Sequence, residues 1–106
     1  MKYPRRVDEN QSAIVKFLRD VGCSVLSLSE IGRGCPDLLV GFRGRNVLLE
    51  VKNPMKPKAD RQLTSAEGKW IKGWRGQVAV VETVDDALRA VRESAPARTM
   101  AEVIPR

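Results

Sequence analysis

Two β-rich runs, residues 37–42 and 46–52, stand on either side of Arg43-Gly44-Arg45. Apolar, branched runs that flank a glycine-containing turn predict a β-hairpin. They read Asp37-Leu38-Leu39-Val40-Gly41-Phe42 and Asn46-Val47-Leu48-Leu49-Glu50-Val51-Lys52. Side chains alternate along a strand, so Glu50 and Lys52 share one face while Leu49 and Val51 take the other. Leu49 and Val51 are core-like, which points the Glu50/Lys52 face to a cleft or to solvent. If Arg43-Gly44 form the loop, Asp37 lies directly opposite Glu50. If Gly44-Arg45 form it, Asp37 lies opposite Lys52 and Glu50 is its diagonal neighbour. In both registers the three groups share a face, at cross-strand Cβ spacings of ~4.5–8 Å.

The flanking sequence supplies the rest of an α/β domain. Asp8-x-x-Gln11 resembles a capping box, and Ile14, Phe17, Leu18 and Val21 follow at helical spacing, so a helix is expected at about 8–21, closed by Gly22. Ser24–Leu28 is a short strand candidate. Residues 53–63 hold Pro54 and Pro57 and read as an exposed basic loop. Thr64-x-x-Glu67 and Thr83-x-x-Asp86 open two further helices, with a β-branched strand at Gln77–Val81 between them. The order α-β-β-β-α-β-α predicts a small mixed sheet flanked by helices. A crossover through the 64–74 helix lets the 77–81 strand run parallel to the 46–52 strand. Because Val78-Ala79-Val80-Val81 is apolar on both faces, that strand is expected to be buried.

A chain of 106 residues suits one compact domain. Its core is expected at about 8–94, and the weakly patterned residues 97–106 read as a loose tail. No apolar stretch approaches the ~20 residues of a membrane span. The basic start, Met1 to Arg6, leads into polar residues without an apolar signal region, so secretion is not expected. Two cysteines, Cys23 and Cys35, are too few for a disulfide scaffold and, with no histidine, too few for a four-ligand zinc site. They read as reduced thiols of a cytoplasmic protein. The lack of histidine also excludes a histidine general base, so any catalysis falls to Asp, Glu, Lys, Tyr or a bound metal.

The net charge is +6. Residues 43–75 hold nine basic and three acidic residues, which accounts for the whole excess. A localised basic surplus is the footprint of a polyanion partner. Arg43, Arg45, Lys56, Lys58 and Arg61 are the candidate phosphate contacts, which position DNA without reading sequence. A solvated basic surface fits the same residues.

Two carboxylates brought close repel each other, so at neutral pH one gains a proton or both bind a cation. Oxygen-only ligation by Asp37, Glu50 and the Val51 backbone carbonyl suits Mg²⁺ or Mn²⁺. Such an ion polarises a phosphodiester and acidifies a bound water. Lys52 then orients or activates the water, or stabilises charge on the phosphoryl group. A same-face ion pair beside an ordinary turn fits these residues too, since short motifs recur by accident.

The runs Gly34-Cys35-Pro36-Asp37-Leu38-Leu39-Val40-Gly41 and Leu48-Leu49-Glu50-Val51-Lys52 resemble the PD-(D/E)XK nuclease superfamily. Within it they resemble the stand-alone VRR-NUC (virus-type replication-repair nuclease) proteins of phages and bacteria. Gly41-Phe42-Arg43-Gly44-Arg45, Leu63-Thr64, Trp74-Arg75-Gly76 and Asp85-Asp86-Ala87-Leu88 extend the likeness over roughly residues 8–92. The resemblance implies a restriction-endonuclease-like core and metal-dependent, structure-selective cleavage of branched DNA such as Holliday junctions, with a role in DNA repair. It also implies a homodimer. Asp37 and Glu50 match the metal-binding acids and Lys52 the catalytic lysine. Glu9 is the match for an acid on the first helix, with Gln11 nearby. Where the family often has a glutamine early in the helix after the basic loop, this chain has Glu67-Gly68, so Glu67 is either a site residue or only the capping acid.

Trp70 and Trp74 lie one helical turn apart among Lys69, Lys72 and Arg75. They suit a core or a dimer surface, and also stacking on bases. Gly32 and Gly34 read as flexibility ahead of Asp37. Two other functions fit the sequence: a non-catalytic nucleic-acid-binding module on a nuclease-like fold, and a protein-interaction domain contacting its partner through Trp70 and Trp74.

Overall fold

The computed structural model describes residues 9–93. Along the chain run α1 (Glu9–Asp20), β1 (Ser24–Ser27), β2 (Leu38–Phe42), β3 (Arg45–Val51), a 3-10 turn (Lys58–Arg61), α2 (Ser65–Gly73), β4 (Val78–Val81) and α3 (Val84–Glu93). The strands form one mixed sheet in the order β1-β2-β3-β4. The first three pair antiparallel, and β4 runs parallel to β3. A parallel neighbour needs a crossover, which residues 52–77 supply with α2 inside them. A mixed sheet with helices around it, the fold class expected from the sequence, is therefore what the chain forms.

The hairpin takes the first of the two registers. Phe42 pairs with Arg45 and Leu38 with Leu49, which leaves Arg43-Gly44 as a two-residue loop. Both lie at positive φ, 51° and 78°, as a type I′ turn requires. Glycine adopts that conformation without strain, whereas Arg43 does not. The Arg43 guanidinium sits 4.9 Å over the Phe42 ring, a contact that offsets part of the cost.

Helix ends follow local chemistry. Gly22, at φ 99°, closes α1: its N–H donates to the Arg19 carbonyl and the Cys23 N–H to that of Leu18, the pair of bonds of a Schellman motif. Thr64 caps α2 and Thr83 caps α3, each through a capping box with Glu67 or Asp86. Asp8, the expected cap of α1, lies outside the described residues, as does the expected tail at 97–106.

The core occupies one face of the sheet. Leu38, Val40, Val47, Leu49 and Val81 meet Ile14 and Leu18 of α1 and Ala87 and Val91 of α3. Each helix turns an i, i+4 pair inward, and each fully buried aliphatic side chain contributes about 1.5–3 kcal/mol. The opposite face carries Leu39 and Leu48, over which lie Trp70 of α2 and Trp74 at its C-cap.

β4 departs from expectation. It is an edge strand, and Val81 is its one buried residue, with Val80 44% exposed. Its apolar run marks an uncovered edge and face, because α2 lies over Leu39 and Leu48 and leaves Val80 open. No helix among the described residues is long and apolar enough to cross a membrane.

Candidate active site

One step beyond the Leu38–Leu49 pair, the hairpin register sets Asp37 opposite Glu50. The Asp37 main chain is fixed first: its carbonyl accepts the Leu28 N–H at 2.8 Å, prolonging the β1–β2 ladder. Its side chain then turns across to β3, where Oδ2 accepts the Val51 N–H at 2.7 Å. A strand residue's N–H and C=O point to the same side, so the Val51 carbonyl also faces Asp37.

Glu50 is buried, 3% exposed, and it is the one buried charged residue among those described. Its Oε2 lies 3.4 Å from Lys52 Nζ, while Oε1 is buried without a hydrogen-bond partner. Burial, reinforced by the charge of Asp37 and by the neighbouring Glu67 carboxyl, raises the Glu50 pKa to about 8 against the pull of Lys52. Glu50 is thus largely protonated at neutral pH unless a cation is beside it.

Lys52 leaves the end of β3, and its Nζ donates to Glu67 Oε1 at 2.7 Å. Burial pulls the lysine pKa down, but Glu67 and Glu50 outweigh it and hold the pKa above the usual lysine value. Lys52 is a cation here. Glu67 Oε1 also accepts the Thr64 N–H at 2.9 Å. Burial works against ionisation of Glu67, and the Lys52 and Thr64 hydrogen bonds more than compensate, so its pKa is lowered. The capping-box acid and the partner of Lys52 are one carboxylate.

Asp37, Glu50, Lys52 and Glu67 are therefore brought together. The other candidates are not. Glu9 is exposed in the first turn of α1. Gln11 lines a separate pocket between α1 and the β1 side of the sheet, with Val15, Arg19, Val25 and Leu38. Arg43 and Arg45 occupy the far end of the hairpin, ~20 Å from Asp37 by strand rise. Lys56 and Lys58 are exposed in the crossover. Arg61, in the 3-10 turn, pairs with Glu82 at 3.4 Å.

Two residues of the site's framework escape sequence reasoning. Asn10 Nδ2 donates to the Lys52 carbonyl at 3.0 Å and to the Glu82 carbonyl at 2.8 Å, tying α1 to the chain just past β3 and β4. No local signal marks it, since its partners are 42 and 72 residues away. Gly34 is a point of close packing and not of flexibility. At φ 85°, a Cβ there would stand 2.3 Å from the Ala66 carbonyl oxygen. The loop ahead of Asp37 is thereby pressed onto the first turn of α2, beside Glu67.

Comparison with known families, curated proteins and solved structures finds no match. The chemistry of the site itself therefore has to indicate what it does.

Among the described residues no group of three or more His, Cys, Asp or Glu side chains surrounds one metal position. The donors available are two carboxylates and a main-chain carbonyl. They fit a small hard cation that keeps several ligand positions for water and phosphate oxygens. The buried Glu50 carboxyl is the observation in favour: no donor reaches its Oε1, so the ionised form is costly to bury, and a cation removes that cost. Cys23 is buried and Cys35 half-buried, both as free thiols. Burial and the charges of Asp37 and Glu50 push the Cys35 pKa up, which argues against a thiolate nucleophile.

Proposed function

We propose that the protein is a Mg²⁺- or Mn²⁺-dependent endodeoxyribonuclease acting on branched DNA such as Holliday junctions, built on a PD-(D/E)XK core of the VRR-NUC type and working as a homodimer in the cytoplasm. The observation that carries this reading is the half-buried Asp37 set opposite the buried Glu50, whose Oε1 no donor reaches, with Lys52 beside them. A charged pair of this kind has no evident value for packing. It suits an ion and a phosphate that arrive together.

Asp37, Glu50 and the Val51 carbonyl hold the cation. When bound, the ion polarises the phosphodiester and lowers the pKa of a coordinated water. The chain's own residues do the rest. Asp37 is held in place by the Val51 N–H. Lys52, kept protonated by Glu67 and Glu50, serves as a cation and not as a base. Of the roles open to it, orienting the water and stabilising charge on the transferring phosphoryl group fit a raised pKa; proton abstraction does not. Glu67 aims the ammonium from the cap of α2. Lys56 and Lys58, in the crossover directly after Lys52, contact flanking phosphates.

The homodimer follows from the proposed substrate: a two-fold junction calls for two-fold related sites, and one such subunit offers little surface for it. Calorimetric titration with Mn²⁺ tests the metal centre. Wild type is expected to bind, and Glu50→Gln and Asp37→Asn to lose binding. Salt-dependent DNA binding with no Mn²⁺ heat would instead support the non-catalytic binding module.

A further inference from the structure

The sheet face that carries Asp37 and Glu50 also carries an apolar pocket of ≈ 460 Å³, walled by Leu39 and Leu48 of the hairpin, Ile31, Trp70 of α2 and Trp74 at its C-cap. The two indoles stack at 4.8 Å between centroids with 17° between their planes. Trp74 nevertheless remains 47% exposed. It is seated by Gly76, where a Cβ would stand 2.8 Å from the indole Nε1. One face of Trp74 is thus backed by Trp70 while much of the ring stays open.

The pocket lies beside the acid pair. Leu39 and Leu48 are each two residues from Asp37 and Glu50 on the same strand face, about 7 Å along the strands. Cys35, another wall residue, leads directly into Pro36-Asp37. Beyond the pocket, at the opposite end from the acids, comes the exposed Arg75, between the wall residues Trp74 and Gly76, and α2 carries exposed Lys69 and Lys72 next to Trp70 and Trp74 in sequence. Exposed Asn46 adds a side-chain amide, donor and acceptor together.

We propose that this pocket receives one unpaired nucleobase of a DNA strand, stacked on Trp74, while a neighbouring phosphate of that strand lies at Asp37 and Glu50. Charge complementarity selects this occupant. The whole basic surplus of the chain lies in residues 43–75, the segment that supplies β3 and α2, and the exposed Lys69, Lys72 and Arg75 flank the two tryptophans in sequence. A strand running along this face passes from the acids, over the apolar slot, to Arg75. An aromatic slot between a phosphate-cutting site and cationic side chains suits a base whose backbone continues in both directions, and stacking accepts any base. A fully paired duplex has no base to offer, so the slot favours junctions, flaps and bulges. The slot rests on the nuclease reading for the identity of its neighbour, and is tested without turnover.

Trp70 and Trp74 are the chain's two tryptophans, so tryptophan emission reports on the slot alone. In EDTA, the protein is titrated with a duplex bearing one unpaired thymine, and with the same duplex bearing an abasic site there. The thymine duplex is expected to quench the emission and to bind roughly tenfold tighter, the ratio of one stacked base. Trp74→Ala should remove that preference and Trp74→Phe retain part of it, with circular dichroism confirming that both are folded. Equal affinity for the two duplexes without quenching overturns the proposal, as does an emission change that follows protein concentration alone, which would assign the slot to a second copy of the chain. Metal-dependent cutting without base preference overturns the slot and leaves the nuclease; base preference without cutting does the reverse.

Discussion

Glu67 Oε1 accepts a hydrogen bond from Lys52 Nζ at 2.7 Å and, through the same oxygen, one from the Thr64 N–H at 2.9 Å. The start of α2 and the lysine at the end of β3 are therefore held by a single atom. Glu67→Ala leaves the Thr64 cap but removes the acceptor of the Thr64 N–H, a hydrogen bond worth about 0.5–1.5 kcal/mol, and the charged hydrogen bond to Lys52, worth about 1.5–3 kcal/mol. The expected loss is about 2–4 kcal/mol in urea unfolding. Glu67→Gln keeps an acceptor for both donors and should lose less than half of that. Cleavage should follow the same ranking, since what fails is the aim of Lys52.

Glu50 gives the metal-free protein a pH dependence of definite sign. Its pKa rises from 4.5 unfolded to about 8 folded, so the folded state holds the proton more tightly. Stability from this group is complete below pH 4.5 and is lost as pH rises through 8, at up to about 1.4 kcal/mol per unit. Thermal melts in EDTA between pH 5 and pH 9 should show the decline, and Glu50→Gln should flatten it. Mn²⁺ should restore wild-type stability most strongly at the alkaline end.

The basic crossover should contribute to affinity and not to chemistry. Removing one lysine–phosphate interaction lowers the slope of log K against log salt by about 0.9. Lys56→Ala with Lys58→Ala should reduce it by roughly 2 and leave single-turnover cleavage at saturating DNA nearly unchanged. Arg61→Ala should change the slope less, because Arg61 already faces Glu82. Fluorescence anisotropy at several salt concentrations separates these outcomes.

Two glycines with similar backbone angles should differ sharply. Gly34→Ala meets the Ala66 carbonyl at 2.3 Å as well as a strained φ, whereas Gly44→Ala meets nothing within 4 Å. Gly44→Ala should cost about 1–2 kcal/mol from backbone strain alone. Gly34→Ala should cost more and should also slow cleavage, because it pushes the loop before Asp37 away from Glu67. Urea unfolding and single-turnover cleavage of the two variants check both expectations.

The sequence exposes the hairpin, the helix caps and the single face shared by Asp37, Glu50 and Lys52, because each depends on alternation or on partners a few residues away. It leaves two turn registers open, and the positive φ at both Arg43 and Gly44 closes the choice. It also leaves Glu67 between cap and site. The structure shows both roles on one oxygen, which no spacing rule could state. Asn10 and Gly34 are invisible beforehand for a related reason: one reaches carbonyls 42 and 72 residues away, and the other is required bare by a helix that follows about thirty residues later. Burial of Glu50 is likewise not written in its own strand. It arises because α2 and the Gly34 loop close over a face that alternation alone leaves open.

The most direct measurement is single-turnover cleavage of an end-labelled Holliday junction in Mn²⁺ by wild type and by Asp37→Asn, with junction binding measured in EDTA for both. Wild type is expected to cut and Asp37→Asn to bind equally well without cutting. Equal cutting by the two proteins, or none by folded, junction-bound wild type in either Mn²⁺ or Mg²⁺, contradicts a metal-dependent nuclease centred on Asp37, Glu50 and Lys52.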